Sequence, residues 1–325
     1  MERHSMATTS FPAMGVTVTI SGVHVPAPEI ARGARVARAM AADWEQRFSR
    51  FLPDSELRAV NAAAGQPVQV STEFLELLEK ALLGVHRSEG RFDPAVLPAL
   101  EQAGYDRSFE SIAPANPRYQ TEQQSPDATG WHERTELDFQ RSTVRLPNNV
   151  RIDFGGIAKG AFVDRVVEQL RHWPGGCVDA GGDLRVWGIP PNGLYWTVGI
   201  QDPRNPVDDL AIARIDDVDA QAVATSGTYK RRWTRNGVVA HHLIDPRSGS
   251  PVSGRVTAVT AFAGTAVDAE IESKSLLVAA GRGQPLALLA ADLAVVCQED
   301  GTYAVIETVG QRSAQIERNP ARATA

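Results

Sequence analysis

The chain has 325 residues, and its 33 lysines and arginines against 39 aspartates and glutamates give a formal net charge of −6. Hydrophobic residues make up 43% and charged residues 22%, an ordinary globular composition that excludes a disordered or fibrous protein. A mildly acidic chain offers no basic surface to a phosphate backbone, so we expect small molecules or proteins, not nucleic acid, as partners.

No segment is typical of a membrane protein. The first fifteen residues, MERHSMATTSFPAMG, lack the apolar stretch of ~7–15 residues that a secretory signal requires. The longest apolar stretch, 286–296, is interrupted by Asp292 and is shorter than the ~20 residues needed to cross a bilayer. Cys177 and Cys297 lie in short apolar runs and are predicted to be buried thiols. We therefore expect no membrane span and a cytoplasmic location.

The first third of the chain is predicted to be mainly helical. After a disordered N-terminus at 1–10, a strand is predicted at about 16–20, and then a helix beyond Pro26. Apolar positions at helical spacing in that helix are Ile30, Val36, Met40 and Trp44. A second helix is predicted from a cap at Asp54 or Ser55 towards Ala64. A third is predicted from Ser71 or Thr72 to a point before Gly90.

The remainder is predicted to be mostly short strands. Residues 113–130 are rich in Pro, Gln, Asn, Ser and Asp and are predicted to be a mobile insertion. Helices are predicted at 157–170 and 266–280, with a short one near 286–291, before two closing strands. Residues 311–325 are predicted to be frayed. Because no repeat or clear boundary is present, we predict a single domain over residues 11–310.

Two segments carry residue types that suit chemistry. Residues 155–160, GGIAKG, are predicted at a helix N-terminus, where free N–H groups, the helix dipole and Lys159 favour an anion. The alternative is a helix cap with a solvated lysine. Residues 242–246, HLIDP, form a predicted strand end, where His242 and Asp245 are suited to be a base and its orienting acid. The alternative is a hydrogen-bonded structural histidine, and His241 is predicted to be its exposed neighbour.

Eight motifs, taken in chain order, resemble those of the FAD:protein FMN transferase (ApbE) family, and the likeness spans about 11–310. They are Ala13-Met14-Gly15; Ser49-Arg50-Phe51 leading into Pro53 to Leu57 and Asn61; Gly90 to Pro94; Asp153 to Gly160; Ala180 to Asp183; Asp202-Pro203; Ala224 to Gly227; and His242 to Pro246.

The resemblance implies an α+β, T-fold-like flavin transferase fold with mixed sheets and surrounding helices. Members of the family cleave the pyrophosphate of FAD and pass FMN to a threonine or serine hydroxyl of an acceptor protein. AMP is released, with Mg²⁺ at the phosphates. An acceptor flavoprotein with a Thr or Ser target is therefore the implied partner.

The resemblance also assigns roles by position. Flavin or adenine contacts fall on Met14, Phe51, Arg91, Phe92 and Asp93. Contacts to the adenosine–diphosphate part fall on Asp153 and Lys159, with Ser226 close by. His242 and Leu243 line the implied reaction centre, where His242 or Asp245 takes a proton from the acceptor hydroxyl.

Three departures from the family pattern stand out. Val16 replaces the usual threonine after Met-Gly. The lipoprotein signal of periplasmic members is absent, so a cytoplasmic acceptor is expected. The metal motif Asp-x-x-x-Thr becomes Glu270 and Lys274, although the carbonyl of Gly156 is still expected to contribute to a metal site. A charged lysine cannot ligate Mg²⁺, so Lys274 is predicted to replace the metal. The alternative is an exposed Glu–Lys pair on a helix.

Three functions stay open on this basis. The first is an active flavin transferase that uses FAD as the donor. The second is an FAD pyrophosphatase, in which water replaces the acceptor hydroxyl. The third is a non-catalytic flavin-binding protein. Retention of His242 and Asp245 favours activity, whereas Lys274 favours loss or a changed metal requirement.

Overall fold

The computed structural model describes residues 5–112, 130–216, 220–235, 238–308 and 314–319, so the predicted insertion at about 113–130 lies almost entirely outside it. The helices of the described residues are α1 Ala27–Phe48, α2 Glu56–Ala62, α3 Thr72–Arg87, α4 Leu97–Gln102, α5 Ala158–Leu170 and α6 Ala266–Gly281. The strands are β1 Met6–Ala13, β2 Val16–Val23, β3 Val68–Gln69, β4 Glu136–Asp138, β5 Thr143–Arg145, β6 Gly175–Ala180, β7 Asp183–Gly188, β8 Tyr195–Asp202, β9 Asn205–Asp216, β10 Ala220–Gly227, β11 Arg232–Arg235, β12 Val238–His241, β13 Ile244–Asp245, β14 Ser250–Pro251, β15 Val256–Ala263, β16 Leu293–Gln298, β17 Tyr303–Glu307 and β18 Gln315–Arg318.

The chain divides into two compact units, where the sequence had predicted one domain. Unit 1 comprises residues 1–42, 159–227 and 255–325, and unit 2 comprises 43–158 and 228–254. No helix of the described residues is both long and apolar enough to cross a bilayer.

Unit 1 is built on an eight-stranded sheet in the order β1-β2-β6-β7-β10-β15-β16-β17. The inner strands are buried over most of their length, and Val18, Ile20 and Val178 are fully buried. Helix α6 connects β15 to β16 and packs on β15 and β10. Because β15 and β16 are antiparallel neighbours, as are all the strand pairs of the described residues, the expectation of mixed sheets is wrong, while the α+β class is confirmed.

Unit 2 contains the α-helices α2, α3 and α4, a three-stranded sheet in the order β3-β5-β4 and the hairpins β11-β12 and β13-β14. Its core includes three rings, Phe48, Phe74 and Phe154, whose centroids are 5.4–5.8 Å apart. Because Phe154 is fully buried, it anchors the backbone of the adjoining Asp153.

The predicted helix starts of unit 2 are confirmed by their caps. The side chain of Ser55 accepts a hydrogen bond from the N–H of Arg58, and that of Ser71 accepts one from Phe74. Each satisfies an N–H that the helix itself leaves unpaired. In α1, Ile30 and Trp44 are buried as predicted, but Val36 is 43% exposed, so its assignment to the core is wrong.

The expected disorder at both ends is wrong in part. Residues 6–10 belong to β1, which pairs with β2 from Met6 opposite Val23 to Ala13 opposite Val16. In the predicted tail, β18 pairs with β9 and places Gln315 opposite Arg214. Both segments gain order from backbone hydrogen bonds to a partner strand, which their own composition does not reveal.

The short helix predicted near 286–291 is absent from the structure, which has an irregular segment there. The buried carboxylate of Glu272 on α6 accepts hydrogen bonds from the backbone N–H groups of Leu289, Ala290 and Ala291 at 2.8–3.2 Å. These N–H groups converge on one carboxylate and fix the segment against α6. The spacing of apolar residues predicted a helix here, because such a local pattern contains no information about the Glu272 carboxylate, 17–19 residues earlier in the chain.

We expect Glu272→Gln to lower the free energy of unfolding by about 3 kcal/mol, because the N–H groups of three residues lose the carboxylate of a buried side chain as their acceptor. Glu168→Gln, on the exposed side of α5, is the matched control and should change it by less than ~0.5 kcal/mol. Chemical denaturation measures both values. Equal midpoints for the two variants would show that Glu272 does not hold the segment.

Candidate functional site

A cluster of charged side chains joins α5 and α6 in unit 1. The Nζ of Lys159 lies 3.3 Å from Oε1 of Glu270, and the Nζ of Lys274 lies 3.2 Å from the same oxygen. Lys159 also pairs with the carboxylate of Asp183, at the start of β7. Two ammonium groups therefore flank one buried carboxylate oxygen. The two lysine side chains are 20% and 17% exposed, so neither is fully enclosed by the protein.

Glu270 is 1% exposed, so the alternative of an exposed Glu–Lys pair is excluded. Burial by itself raises the pKa of this carboxyl. The charges of Lys159 and Lys274, with the N–H of Gly160, outweigh that effect and hold its pKa below its usual value. Glu270 is therefore ionised at neutral pH and fixes two positive charges in place.

The close approach of α5 and α6 depends on Gly160. Its N–H donates to Oε2 of Glu270 at 2.9 Å, and a Cβ at this position would lie 2.6 Å from the carbonyl oxygen of Ala266. Asp164, one turn later on α5, accepts hydrogen bonds from the N–H groups of Ala266 and Val267 at the start of α6. Asp164 therefore positions the helix that carries Glu270 and Lys274.

Two further predicted site residues lie in unit 1. Ser226, on β10, is buried, and its hydroxyl lies 2.8 Å from that of Ser273, which donates to the carbonyl of Glu270. Ser226 thus belongs to the support of the charged cluster. Met14 forms the turn between β1 and β2 with φ of +51°, beside Gly15 at +66°. A left-handed conformation is unfavourable for methionine, and such strain is common at ligand sites.

In unit 2, Asp153 lies at the centre of a second polar cluster. Its Oδ1 accepts the N–H of Gly155 at 2.6 Å, and its Oδ2 pairs with Nε of Arg50 at 3.0 Å. The carboxylate thereby shapes the glycine turn before α5. Asn61 braces the same segment, because its side-chain amide exchanges two hydrogen bonds of 2.8 Å with the backbone of Ile152.

The Arg91-Phe92-Asp93 segment is partly structural. Phe92 is 5% exposed and belongs to the core, whereas Arg91 lies near Glu89. Asp93 accepts hydrogen bonds from the N–H of Ala95 at 2.7 Å and from the indole N–H of Trp131 at 3.0 Å. Burial raises the pKa of Asp93 to about 6, against the lowering effect of these donors. Its protonation therefore changes near neutral pH.

Of the two adjacent histidines, His241 differs from the sequence expectation. His241 is 7% exposed, so the prediction of an exposed neighbour is wrong. Its Nε2 hydrogen-bonds the carbonyl of Val252 and its Nδ1 accepts the N–H of Leu243, while burial lowers its pKa. His241 is therefore a neutral structural residue that closes the loop 243–252.

His242 and Asp245 border this same loop. His242 follows β12 and is half-buried, whereas the predicted contact residue Leu243 is buried. Oδ1 of Asp245 accepts the N–H of Arg247 at 2.9 Å, which closes the turn between β13 and β14. Because both nitrogens of His241 bind backbone groups, His242 is the better candidate for proton transfer.

The sequence analysis assigned no role to several side chains that form these clusters. Arg50, Asp164 and Asp183 each pair with a group far away in the chain, and a motif of a few residues does not contain such a partner. The available signal for Arg50 was its place between Ser49 and Phe51 in a motif already assigned to ligand contact.

Comparison with known proteins connects these clusters to one family. Residues 14–297 match the model of the ApbE family. The FAD:protein FMN transferase of Treponema pallidum is 32% identical over 75% of this chain and 70% of its own length. That of Vibrio cholerae is 27% identical over 83% of this chain and 80% of its own length.

Solved structures of ApbE proteins have a similar fold. The ApbE protein from Thermotoga maritima superimposes with a TM-score of 0.78 at 26% identity, over 94% of this chain and 97% of its own. The flavin transferase ApbE from Vibrio cholerae gives a TM-score of 0.70 over 94% and 98%, and at 22% identity it supports the fold alone. Since the family match extends over most of the chain and reaches from the Met14 turn past α6, this protein belongs to the ApbE family.

Proposed function

We propose that this protein is an FAD:protein FMN transferase, which binds FAD and transfers FMN to a threonine or serine hydroxyl of an acceptor protein. The family match over residues 14–297 carries the proposal, together with the activity named for its relatives. The ammonium groups of Lys159 and Lys274 support it, because they present positive charge that suits pyrophosphate oxygens.

The reaction is a phosphoryl-type transfer. The acceptor oxygen forms a bond to the FMN phosphorus, and the bond between that phosphorus and the bridging oxygen breaks, so AMP leaves with the electron pair. We assign the proton of the acceptor hydroxyl to His242, with Asp245 as the alternative base. Asp153 and Lys159 contact the adenosine–diphosphate part in this proposal, and Met14, Phe51, Arg91 and Asp93 contact the ring systems, with Phe92 supporting them from the core.

Mg²⁺, which the family resemblance implies, does not fit the residues around Glu270. Mg²⁺ requires oxygen ligands at about 2.0–2.1 Å in octahedral geometry. Here Oε2 of Glu270 accepts the N–H of Gly160, and Oε1 lies 3.2–3.3 Å from two ammonium groups. The described residues contain no group of three or more His, Cys, Asp or Glu side chains suited to a metal ion. The expected ligation by Glu270 and Gly156 therefore receives no support.

We infer that Lys274 supplies the positive charge in place of the metal. Its ammonium is held by Glu270 four residues earlier on α6 and lies beside Lys159 across the same carboxylate oxygen. A compact ammonium suits phosphate oxygens, although its charge of +1 is half that of Mg²⁺. We therefore expect FMN transfer to proceed without added Mg²⁺. We also expect its rate to be lower than that of a centre that uses Mg²⁺.

Product analysis separates the three candidate functions. The protein is incubated with FAD, with and without a candidate acceptor, and AMP, free FMN and protein-bound FMN are measured by mass spectrometry. AMP with covalently bound FMN supports the transferase. AMP with free FMN in equal amounts identifies a pyrophosphatase, and saturable FAD binding with neither product identifies a non-catalytic flavin-binding protein.

We expect Asp153→Ala to raise the dissociation constant for FAD by ~10-fold, because the Gly155 turn loses its cap and Arg50 loses its counter-ion. Flavin fluorescence titration measures the constant. Asp138→Ala, at the end of β4 and partly exposed, is the control and should leave it unchanged. A flat titration of the folded parent protein contradicts FAD binding, and equal constants for parent and Asp153→Ala contradict the role of Asp153.

A further inference from the structure

Arg50 has a buried guanidinium that the chain holds at two of its nitrogens. Its side chain is 7% exposed, Nε pairs with Oδ2 of Asp153 at 3.0 Å, and Nη1 donates to the carbonyl of Tyr105 at 2.6 Å. Asp153 is itself fixed by the N–H of Gly155. The orientation of the guanidinium plane is therefore set before any ligand binds.

Two aromatic rings flank this guanidinium. Its Cζ lies 4.4 Å from the ring centroid of Phe51 and 4.5 Å from that of Tyr105. Tyr105 is 8% exposed and packs on Trp233, whereas Phe51 is 39% exposed. The cluster therefore presents one open aromatic ring beside a fixed cation, an arrangement that suits a planar ligand.

The third nitrogen, Nη2, is buried and has no hydrogen-bond acceptor among the residues that the structure describes. A buried donor without an acceptor costs about 1–3 kcal/mol, so such a group is rarely left in place without a use. Because the other two nitrogens are engaged by Asp153 and Tyr105, Nη2 is the guanidinium nitrogen left to pair with an acceptor on a ligand.

Charge narrows the chemistry of that ligand atom. The carboxylate of Asp153 neutralises Arg50 at close range, which makes a neutral acceptor a better match than a phosphate. We propose that Nη2 of Arg50 donates a hydrogen bond to a ring nitrogen or ring carbonyl of one heterocycle of FAD, with Phe51 packing on that ring. This inference rests on the proposed function, because it takes FAD as the ligand.

The test compares Arg50→Lys with the parent in the full-length protein, using FAD, FMN and ADP as separate probes in calorimetric titration. Lysine retains the charge beside Asp153 but lacks the forked second nitrogen. The dissociation constant for FAD should rise by ~10-fold. A rise for FMN alone places the contact on the flavin ring, and a rise for ADP alone places it on adenine. Arg145→Lys, at an exposed position of β5, is the control and should change none of the three.

A double-mutant cycle of Arg50→Lys with Asp153→Asn separates a direct contact between Arg50 and FAD from an effect that acts through Asp153. A direct contact predicts that Arg50→Lys weakens FAD binding further in the Asp153→Asn background. No further loss there, or an unchanged dissociation constant in folded Arg50→Lys, overturns the inference. If Arg50→Lys does not fold, Arg50→Gln in the Asp153→Asn background replaces the ion pair with neutral amides, and unaltered FAD affinity in that variant overturns it equally. Failure of the parent to bind FAD would instead refute the proposed function.

Discussion

His242→Ala should lower the rate of FMN transfer by ~10²–10⁴-fold while the dissociation constant for FAD changes by no more than a few-fold. A general base acts on the proton of the acceptor hydroxyl as the new bond to phosphorus forms. Its contribution therefore appears in the transition state and hardly at all in the binding of the ground-state donor. This separation of rate from affinity is the signature that distinguishes His242 from a residue that only holds FAD.

Two other histidines provide controls for this measurement. His172→Ala, at an exposed position two residues after the end of α5, should change neither rate nor stability. His241→Ala should lower the unfolding temperature, because its ring holds the carbonyl of Val252 and the N–H of Leu243. Single-turnover rates, FAD titrations and thermal unfolding give the three readouts. Equal transfer rates in the parent and His242→Ala would move the role of base to Asp245.

FAD cleavage should persist in EDTA, and Lys274→Met should reduce it by ~10²–10³-fold. The reason is that, in the role we propose for it, Lys274 takes the place of a metal ligand and brings its own positive charge to Oε1 of Glu270. Methionine has a similar length and no charge, so the substitution removes the electrostatic contribution and leaves the packing of α6 almost unaltered. Glu270 retains Lys159 and the N–H of Gly160 as partners in this variant.

Lys80→Met, on the exposed side of α3, is the matched control and should retain full activity. A double variant, Glu270→Asp with Lys274→Thr, restores the acidic and hydroxyl side chains of the family motif. It should bind Mg²⁺ in calorimetry, where the parent shows no heat, and its activity should become dependent on added Mg²⁺. If FAD cleavage by the parent protein depends strictly on added Mg²⁺, the inference that Lys274 replaces the metal is wrong.

The amino-acid sequence by itself determined the local features of this protein. Ser55 and Ser71 begin α2 and α3 as predicted, because a capping hydroxyl acts on N–H groups only two or three residues away. Helices α5 and α6 were likewise predicted to within a residue or two, since apolar spacing is a local signal. The ordered succession of short motifs indicated the ApbE family, because relative order along a chain needs no knowledge of contacts.

Only the tertiary structure decided which of these features act together. Lys159 and Glu270 are 111 residues apart in the chain, and no local pattern predicts that the ammonium of Lys159 lies beside the carboxylate of Glu270. For the same reason, the sequence did not predict the hydrogen bonds from residues 289–291 to Glu272. It also predicted an exposed His241, which the folded chain buries. Propensity and capping act within a few residues, whereas burial and charge pairing depend on neighbours that only the folded chain supplies.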